Sequence, residues 1–382
     1  VRRFRIIVTL MALTLGGAAG AQELCDLSDQ LMLDPDDSQA LRAAAFGDGL
    51  VFLLAPGVLT VVDESTLAVR SSMDLPTADL PRSAVWREGL LYATTAGGQL
   101  WTIDASDPDE PVVVSEIDVH DGQLLSAAAG LVVVGDGDLT TIDVSDPARP
   151  VVSGWADAPG TNQTTQAAVN GNAVYVASSG LQIFDISDFA NPYLRQNFLA
   201  LSDDGTMSYP VRSVSVVGDR AFIGIWALAE LWSLDVSRPF VPVRTAVTDA
   251  GRNLWRSVAL PGILFAGDGG AVTAYSTADP DNLSFLHEIP DITSTRFWAG
   301  GTLFVGRTSS AGTVAYGIDR CDGPCPADLA EPFGELNFFD VSRFLAMFAA
   351  QDDAADFAEP FGQWDFFDVS AYLSAFNAGC PE

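Results

Sequence analysis

Near the C-terminus three oxygen-bearing side chains recur at one interval. Asp328, Asn337 and Asp340 are followed 28 residues later by Asp356, Asp365 and Asp368. Carboxylate and amide oxygens spaced this closely can ligate a hard divalent cation, calcium above all. A calcium loop of EF-hand type takes ligands at positions 1, 3, 5, 7, 9 and 12, with Gly at 6. Here each span from first to last Asp holds 13 residues, and Gly334 and Gly362 fall at the seventh. Ala330, Pro332, Ala358 and Pro360 stand where oxygen ligands are expected. Helix capping is the competing role: Asn337 and Asp365 suit N-caps, and Asp340 and Asp368 three residues on complement a helix dipole. Capping accounts for four of the six and leaves Asp328 and Asp356 without a reason. Calcium is the cofactor this set predicts.

No other grouping selects a chemistry. The two histidines, His120 and His287, stand apart; the first reads as a turn, the second as part of a strand. There is no G-x-S-x-G elbow, H-E-x-x-H pair, phosphate-cradling P-loop or Cys/His metal spacing. Trp155, Trp226, Trp232, Trp255 and Trp298 can line one face of a repeat fold and stack on sugars, or pack inside it. The net charge is −31 and all 19 basic residues are arginine. Such a field repels nucleic acid and anionic lipid, so neither is an expected partner.

The elements that must position these residues follow a period. An apolar strand ending in aspartate recurs as "LTVVDES" (Asp63), "LWTIDASDP" (Asp104), "LTTIDVSDP" (Asp143), "LQIFDISDF" (Asp185) and "LWSLDVSRP" (Asp235). Degraded copies put Ser276 and Gly317 in the aspartate's place, and the offsets are 41, 39, 42, 50, 41 and 41. Two β-rich runs precede each motif and one follows, which makes a four-stranded antiparallel blade. Seven such units predict a mainly β chain, a seven-bladed β-propeller. The repeated aspartate is read as a turn cap, its carboxylate accepting N–H groups two residues on. Blade four is the longest, and "LSDDGTMSYPVRS" and "IWALAEL" are expected as loops over one face. The seventh unit lacks its outer strand, and the segment Leu24 to Asp34 is expected to supply it and close the circle.

Arg2, Arg3 and Arg5 precede an apolar stretch from Ile6 to Leu15 and the small residues Ala19-Gly20-Ala21. This is the pattern of a secretory leader cut after Ala21, too short in its apolar part to span a bilayer. The expected organisation is a leader at 1–21, a propeller at 22–321 and a small α-helical domain of two loop–helix repeats at 322–382, secreted or at the cell surface. In the last part Phe338, Val341, Phe344, Leu345 and Phe348 are expected on one helix face. Phe366, Val369, Tyr372, Leu373 and Phe376 are expected on the next.

Two resemblances add to this reading. The motif stretches resemble the LVIVD-repeat family of exported propellers. The duplicated "EPFG…FFDVS" phrase and the terminal Gly379-Cys380 resemble the dockerins of exported bacterial proteins. That second resemblance implies paired EF-hand-like calcium loops and docking onto a cohesin-like protein or another envelope component. Two functions then stand. One is a non-catalytic binding or scaffold protein, with an unknown propeller ligand and the tail as tether. The other is an exported carbohydrate-active hydrolase or lyase acting on polysaccharide from one propeller face.

Four cysteines, Cys25, Cys321, Cys325 and Cys380, allow three pairings if an exported chain forms two disulfides. Cys321 lies in the turn before the missing strand and Cys25 begins the segment expected to replace it. Cys25–Cys321 and Cys325–Cys380 are therefore the expected pairs, the first worth about 4 kcal/mol by closing a long loop. A non-reducing peptide map should recover these two links; Cys25 joined to Cys325 or Cys380 would overturn the assignment.

Overall fold

A computed structural model describes residues 6–8, 31–33, 41–77, 79–120, 122–135, 137–158, 166–202, 205–268, 270–301, 303–308, 313–318, 327, 329–330, 336–350, 355 and 366–378. The four cysteines lie outside these residues. The chain divides into two compact units, Val1–Ala19 with Leu27–Ile318, and Gly20–Asp26 with Asp319–Glu382.

Seven antiparallel sheets make up the first unit's repeats, spanning residues 43–74, 81–118, 122–157, 166–198, 211–249, 256–290 and 292–317. Each chain segment runs outward from an innermost strand. These innermost strands are Ala43–Gly47, Pro81–Arg87, Gly122–Ala127, Gln166–Asn170, Val211–Val217, Arg256–Leu260 and Ile292–Gly300. Each packs on the next, and the last packs on the first, so the seven form a closed ring of blades. In the seventh sheet Leu31–Leu33 pairs antiparallel with Thr313–Gly317 (Leu31 opposite Ala315, Leu33 opposite Thr313). Ile6–Val8 pairs with the far side of Leu31–Leu33.

The cores lie between blades rather than within one. Phe52, Leu54, Leu91 and Trp101 fill the first interface. Ala173, Tyr175, Ile183, Ile223 and Trp232 fill the fourth. Leu41, Val51, Leu53, Leu303 and Val305 fill the one between the last blade and the first. Second strands such as Leu50–Ala55 and Ala173–Ala177 are buried on both faces, which is why they read as continuous apolar runs. Outer strands such as Val112–Asp118 alternate exposed and half-buried residues, because only one of their faces meets a neighbour.

The motif aspartates close the turn between third and outer strands. Each accepts the N–H two residues on: Ser65 to Asp63 at 3.1 Å, Ser106 to Asp104 at 3.0 Å, Ser145 to Asp143 at 2.8 Å, Ser187 to Asp185 at 2.9 Å and Ser237 to Asp235 at 2.8 Å. Ser276 does the same for Ala278 through its hydroxyl, at 3.3 Å. The Ser65 hydroxyl, then the Thr66 N–H and hydroxyl, hold the Asp63 carboxyl at about 2. The turns also tie blades together, since Ser71 donates to the Pro108 carbonyl at 2.6 Å and Ser115 to that of Pro147 at 3.0 Å.

Two helices, α1 (Phe338–Ala350) and α2 (Phe366–Ala378), carry the second unit. Phe344 stacks on Tyr372 with centroids 3.9 Å apart and planes 4° from parallel. Met347, Val341, Phe348, Val369 and Phe376 surround the pair. The buried seam is narrower than the periodicity implies: Phe338, Leu345, Phe366 and Leu373 are exposed. Two short helices meet along one line, so i, i+3, i+7 residues are covered and the flanking positions are left out.

Asp185 is the buried member of the motif series. Burial alone would raise its pKa, but the Ser187 hydroxyl and N–H, Arg195 Nη1 at 2.6 Å and Tyr193 outweigh it and hold the carboxyl at about 2. A folded pKa below the unfolded one contributes stability above about pH 4 that is lost as pH falls toward 2. Asp185→Asn should lower the unfolding free energy at pH 6 by about 1–2 kcal/mol, allowing for the half-exposed Arg195. That deficit should shrink when urea unfolding is repeated near pH 2.5.

Candidate functional site

Strand direction sorts the loops onto two faces. Innermost strands begin where the connections between blades arrive, and third strands end on the opposite side with the capped aspartate turns. The aspartate face is therefore committed to turn closure. The other face carries the leading ends of the innermost strands.

At or next to its leading end each of the first six innermost strands carries one arginine or glutamine, Arg42, Arg82, Gln123, Gln166, Arg212 and Arg256, and the seventh carries Arg296 just before its regular pairing resumes at Phe297. An inner strand has no partner on its axial side, so its backbone needs donors and acceptors from elsewhere. The belt supplies them. Gln123 donates to the Ala167 carbonyl at 2.9 Å and accepts the Ala167 N–H at 2.7 Å. Gln166 reaches past the intervening strand, giving Nε2–H to the Ser257 carbonyl and accepting the Ser257 N–H at 2.9 Å. Arg256 Nε donates to the Phe297 carbonyl at 2.9 Å, and Arg296 Nη1 to that of Arg42 at 3.1 Å.

The arginines crowd one another. Burial and then the nearby Arg296 push the Arg256 guanidinium down to about 10, still charged at neutral pH. Burial, then Arg42, Arg307 and Arg82, lower that of Arg296. Among the described residues the Nε atoms of Arg42 and Arg307 are buried without an acceptor. Arg212 lies over the rings of Trp226 and Trp255, 5.6 Å from each. The loop bearing Trp226 is held in place at Ala227, whose N–H reaches Asn253 at 3.1 Å, with left-handed backbone at Ala227 (φ 72°) and Ala229 (φ 58°).

The residues singled out in the sequence are distributed as follows. Trp232 is buried between blades, Trp155 is exposed on an outer strand, and Trp226, Trp255 and Trp298 are half-buried. The insertion after blade four forms a small hairpin, Ala200–Leu201 with Ser208–Tyr209. His120 Nε2 stands 3.2 Å from Asp138 and its Nδ1 3.2 Å from the Thr140 hydroxyl. Thr140 is buried in its strand, so these contacts hold the connection between blades two and three against the third blade. A cavity of 220 Å³ on the aspartate face is lined by Arg87, Tyr92 and Pro147, and Arg87 is engaged by the carbonyls of Ala127, Ala128 and Gly130.

In the second unit Asp340 is fully buried and accepts three N–H groups, from Leu329 and Ala330 on Oδ1 and from Asn337 on Oδ2, each at 2.8 Å. Asn337 in turn accepts the Phe339 N–H at 2.7 Å, a reciprocal cap on α1. Three N–H dipoles aimed at one carboxylate make Asp340 a cap of the loop and the first turn of α1. Asp368 is likewise buried; Asp328, Asp356 and Asp365 lie outside the described residues. Among the described residues no group of three His, Cys, Asp or Glu could hold a metal ion. No helix among them is long and apolar enough to cross a membrane.

Comparison with known proteins agrees with the geometry. Residues 131–157 and 163–200, the third and fourth blades, match the LVIVD repeat family. The chain is a seven-bladed β-propeller, and these two blades match the LVIVD repeat. A chain in the crystal structure of the mitotic checkpoint complex is similar to it with a TM-score of 0.59 and 13% identity, over 80% of this propeller protein and 99% of that chain. The computationally designed Ika8 protein gives 0.52 and 14%, over 74% and 84%. Sqt1 of Saccharomyces cerevisiae gives 0.51 and 10%, over 75% and 98%. At these identities the likeness is one of fold. Comparison with curated proteins returned no match.

The arginine belt was missed in reading the sequence, although its signal is there. Arg42, Arg82, Gln123, Gln166, Arg212, Arg256 and Arg296 recur at intervals of 40, 41, 43, 46, 44 and 40, in step with the motif. Gln166→Leu should leave the buried Ser257 N–H and carbonyl unpaired and cost about 2 kcal/mol or more in urea unfolding, with an unchanged m-value.

Proposed function

We propose that this propeller is an exported, non-catalytic display protein. It binds a ligand at the mouth of the ring, and its C-terminal helix pair attaches it to a cohesin-like protein or another envelope component. The observation that carries the attachment is the matched exposure of apolar residues in the two repeats. Phe338 and Phe366 are 77% and 76% exposed, and Leu345 and Leu373 are 53% and 50%. Packing between α1 and α2 does not use these residues, yet the duplication keeps them. Large apolar side chains held in solvent at equivalent places suit burial against a partner.

The leader pattern at 1–21 supports export. Cleavage after Ala21 would remove Ile6–Val8 and leave Leu31–Leu33 on the last blade, where it covers an edge that would otherwise be open to strand pairing. We read that segment as the strand that closes the ring. A glycosidase needs two carboxylates about 5–9.5 Å apart across a sugar. The belt at the mouth presents arginine and glutamine instead, which favours binding over hydrolysis.

Phe338→Ala and Phe366→Ala, made singly and together in the full chain, test the attachment. Capture of the envelope partner should survive each single change in part and be lost in the double variant, while the melting temperature stays within about 2 °C. Because Asp340 is engaged by N–H groups, capture should be the same with and without a calcium chelator. Full capture by the double variant would sink the attachment reading.

A further inference from the structure

We infer that the cluster formed by Arg42, Arg256, Arg296 and Arg307, with Arg82 at its rim, binds a compact ligand bearing two or more oxyanion groups. This deepens the reading of the propeller as a binding protein by naming the ligand's chemistry. Six of the chain's 19 arginines gather here in a protein whose net charge is −31: Arg42, Arg82, Arg212 and Arg256 at or next to the leading ends of innermost strands, and Arg296 and Arg307 on the first two strands of the last blade. Carboxylates are abundant overall. Yet among the described residues none pairs with Arg42, Arg256, Arg296 or Arg307, whereas Arg70, Arg195, Arg220 and Arg252 elsewhere all have Asp partners.

The structural need at these positions does not explain the charge. Gln123 and Gln166 meet it in two blades with a neutral amide that serves both the N–H and the carbonyl of the strand they reach. An arginine serves only the carbonyl, adds a positive charge and leaves donors over. Arg256 spends Nε on Phe297 and Arg296 spends Nη1 on Arg42, while the buried Nε atoms of Arg42 and Arg307 find no acceptor among the described residues. Clustered cations with spare donors in a partly desolvated ring are costly unless an anion joins them. Burial, and then repulsion from Arg42, Arg307 and Arg82, lowers the pKa of Arg296, which points the same way.

Two features limit the ligand's size. Gln166 crosses to Ser257 and narrows the ring, and the acidic protein as a whole repels an extended polyanion. A compact ligand, or the anionic end of a larger one, meets both conditions.

Calorimetric titration of the full chain with citrate, pyrophosphate and a uronic-acid disaccharide, at constant ionic strength in chloride, tests the inference. At least one probe should bind saturably at one per chain, and the strongest identifies carboxylate or phosphate as the group preferred. Arg256→Gln and Arg296→Gln should each weaken that binding at least tenfold. Arg149→Gln, an exposed change on the aspartate face, should leave it unaltered. Without ligand, Arg296→Gln should melt at or above the wild-type temperature, since a repelling charge has gone. No saturable binding of any probe, an equal loss in Arg149→Gln, or a lower ligand-free melting temperature in Arg296→Gln would each overturn the site. Envelope capture through Phe338 and Phe366 does not depend on these arginines, so the two readings fail separately.

Discussion

Every blade has two apolar faces and no means of covering both by itself. That constraint organises the propeller. The second strands of six blades carry a large aromatic at or near full burial, Phe52, Tyr92, Tyr175, Phe222, Phe265 and Phe304, and each ring lies against a neighbouring sheet. Burying such side chains outweighs the entropy of ordering the chain only when the next blade is present. The circle must therefore close, and the cluster joining Val51 and Leu53 to Leu303 and Val305 is the interface that closes it.

Closure also creates the propeller's one unusual polar problem, a ring of inner strands whose axial edges have no ladder partner. Glutamine solves it by hydrogen bonding alone, and arginine solves it at the expense of charge. The two faces thus diverge for different physical reasons. On one face aspartates have their oxygens occupied by the N–H groups of their own turns, which is structural work repeated blade after blade. On the other, positive groups accumulate faster than the fold supplies acceptors for them.

The helix pair follows a different logic. Its core is small, one Phe–Tyr stack with a few aliphatic and aromatic neighbours, and its stability leans on loop–helix hydrogen bonds such as those to Asp340. A carboxylate that gathers the N–H groups of Leu329, Ala330 and Asn337 fixes the loop to the first turn of α1. The spacing that suggests a calcium loop is, for Asp340, also the spacing of a cap, because both need oxygens converging on one point.

Much of the architecture was legible in the chain itself. Strand content, the period near forty, seven units and the capped aspartate turns are local properties, set by side-chain alternation and by hydrogen bonds two residues apart. The two C-terminal helices were legible for the same reason. Which aromatic faces a neighbour was not: Phe344 is covered and Leu345 is exposed because the crossing of two helices admits a narrow seam. Nor was the meeting of Arg42 with Arg296, 254 residues apart in sequence. Sequence alone determined the blade. Only the closed ring decided that like charges would share its axis, since that depends on bringing the ends of seven separate strands to one place.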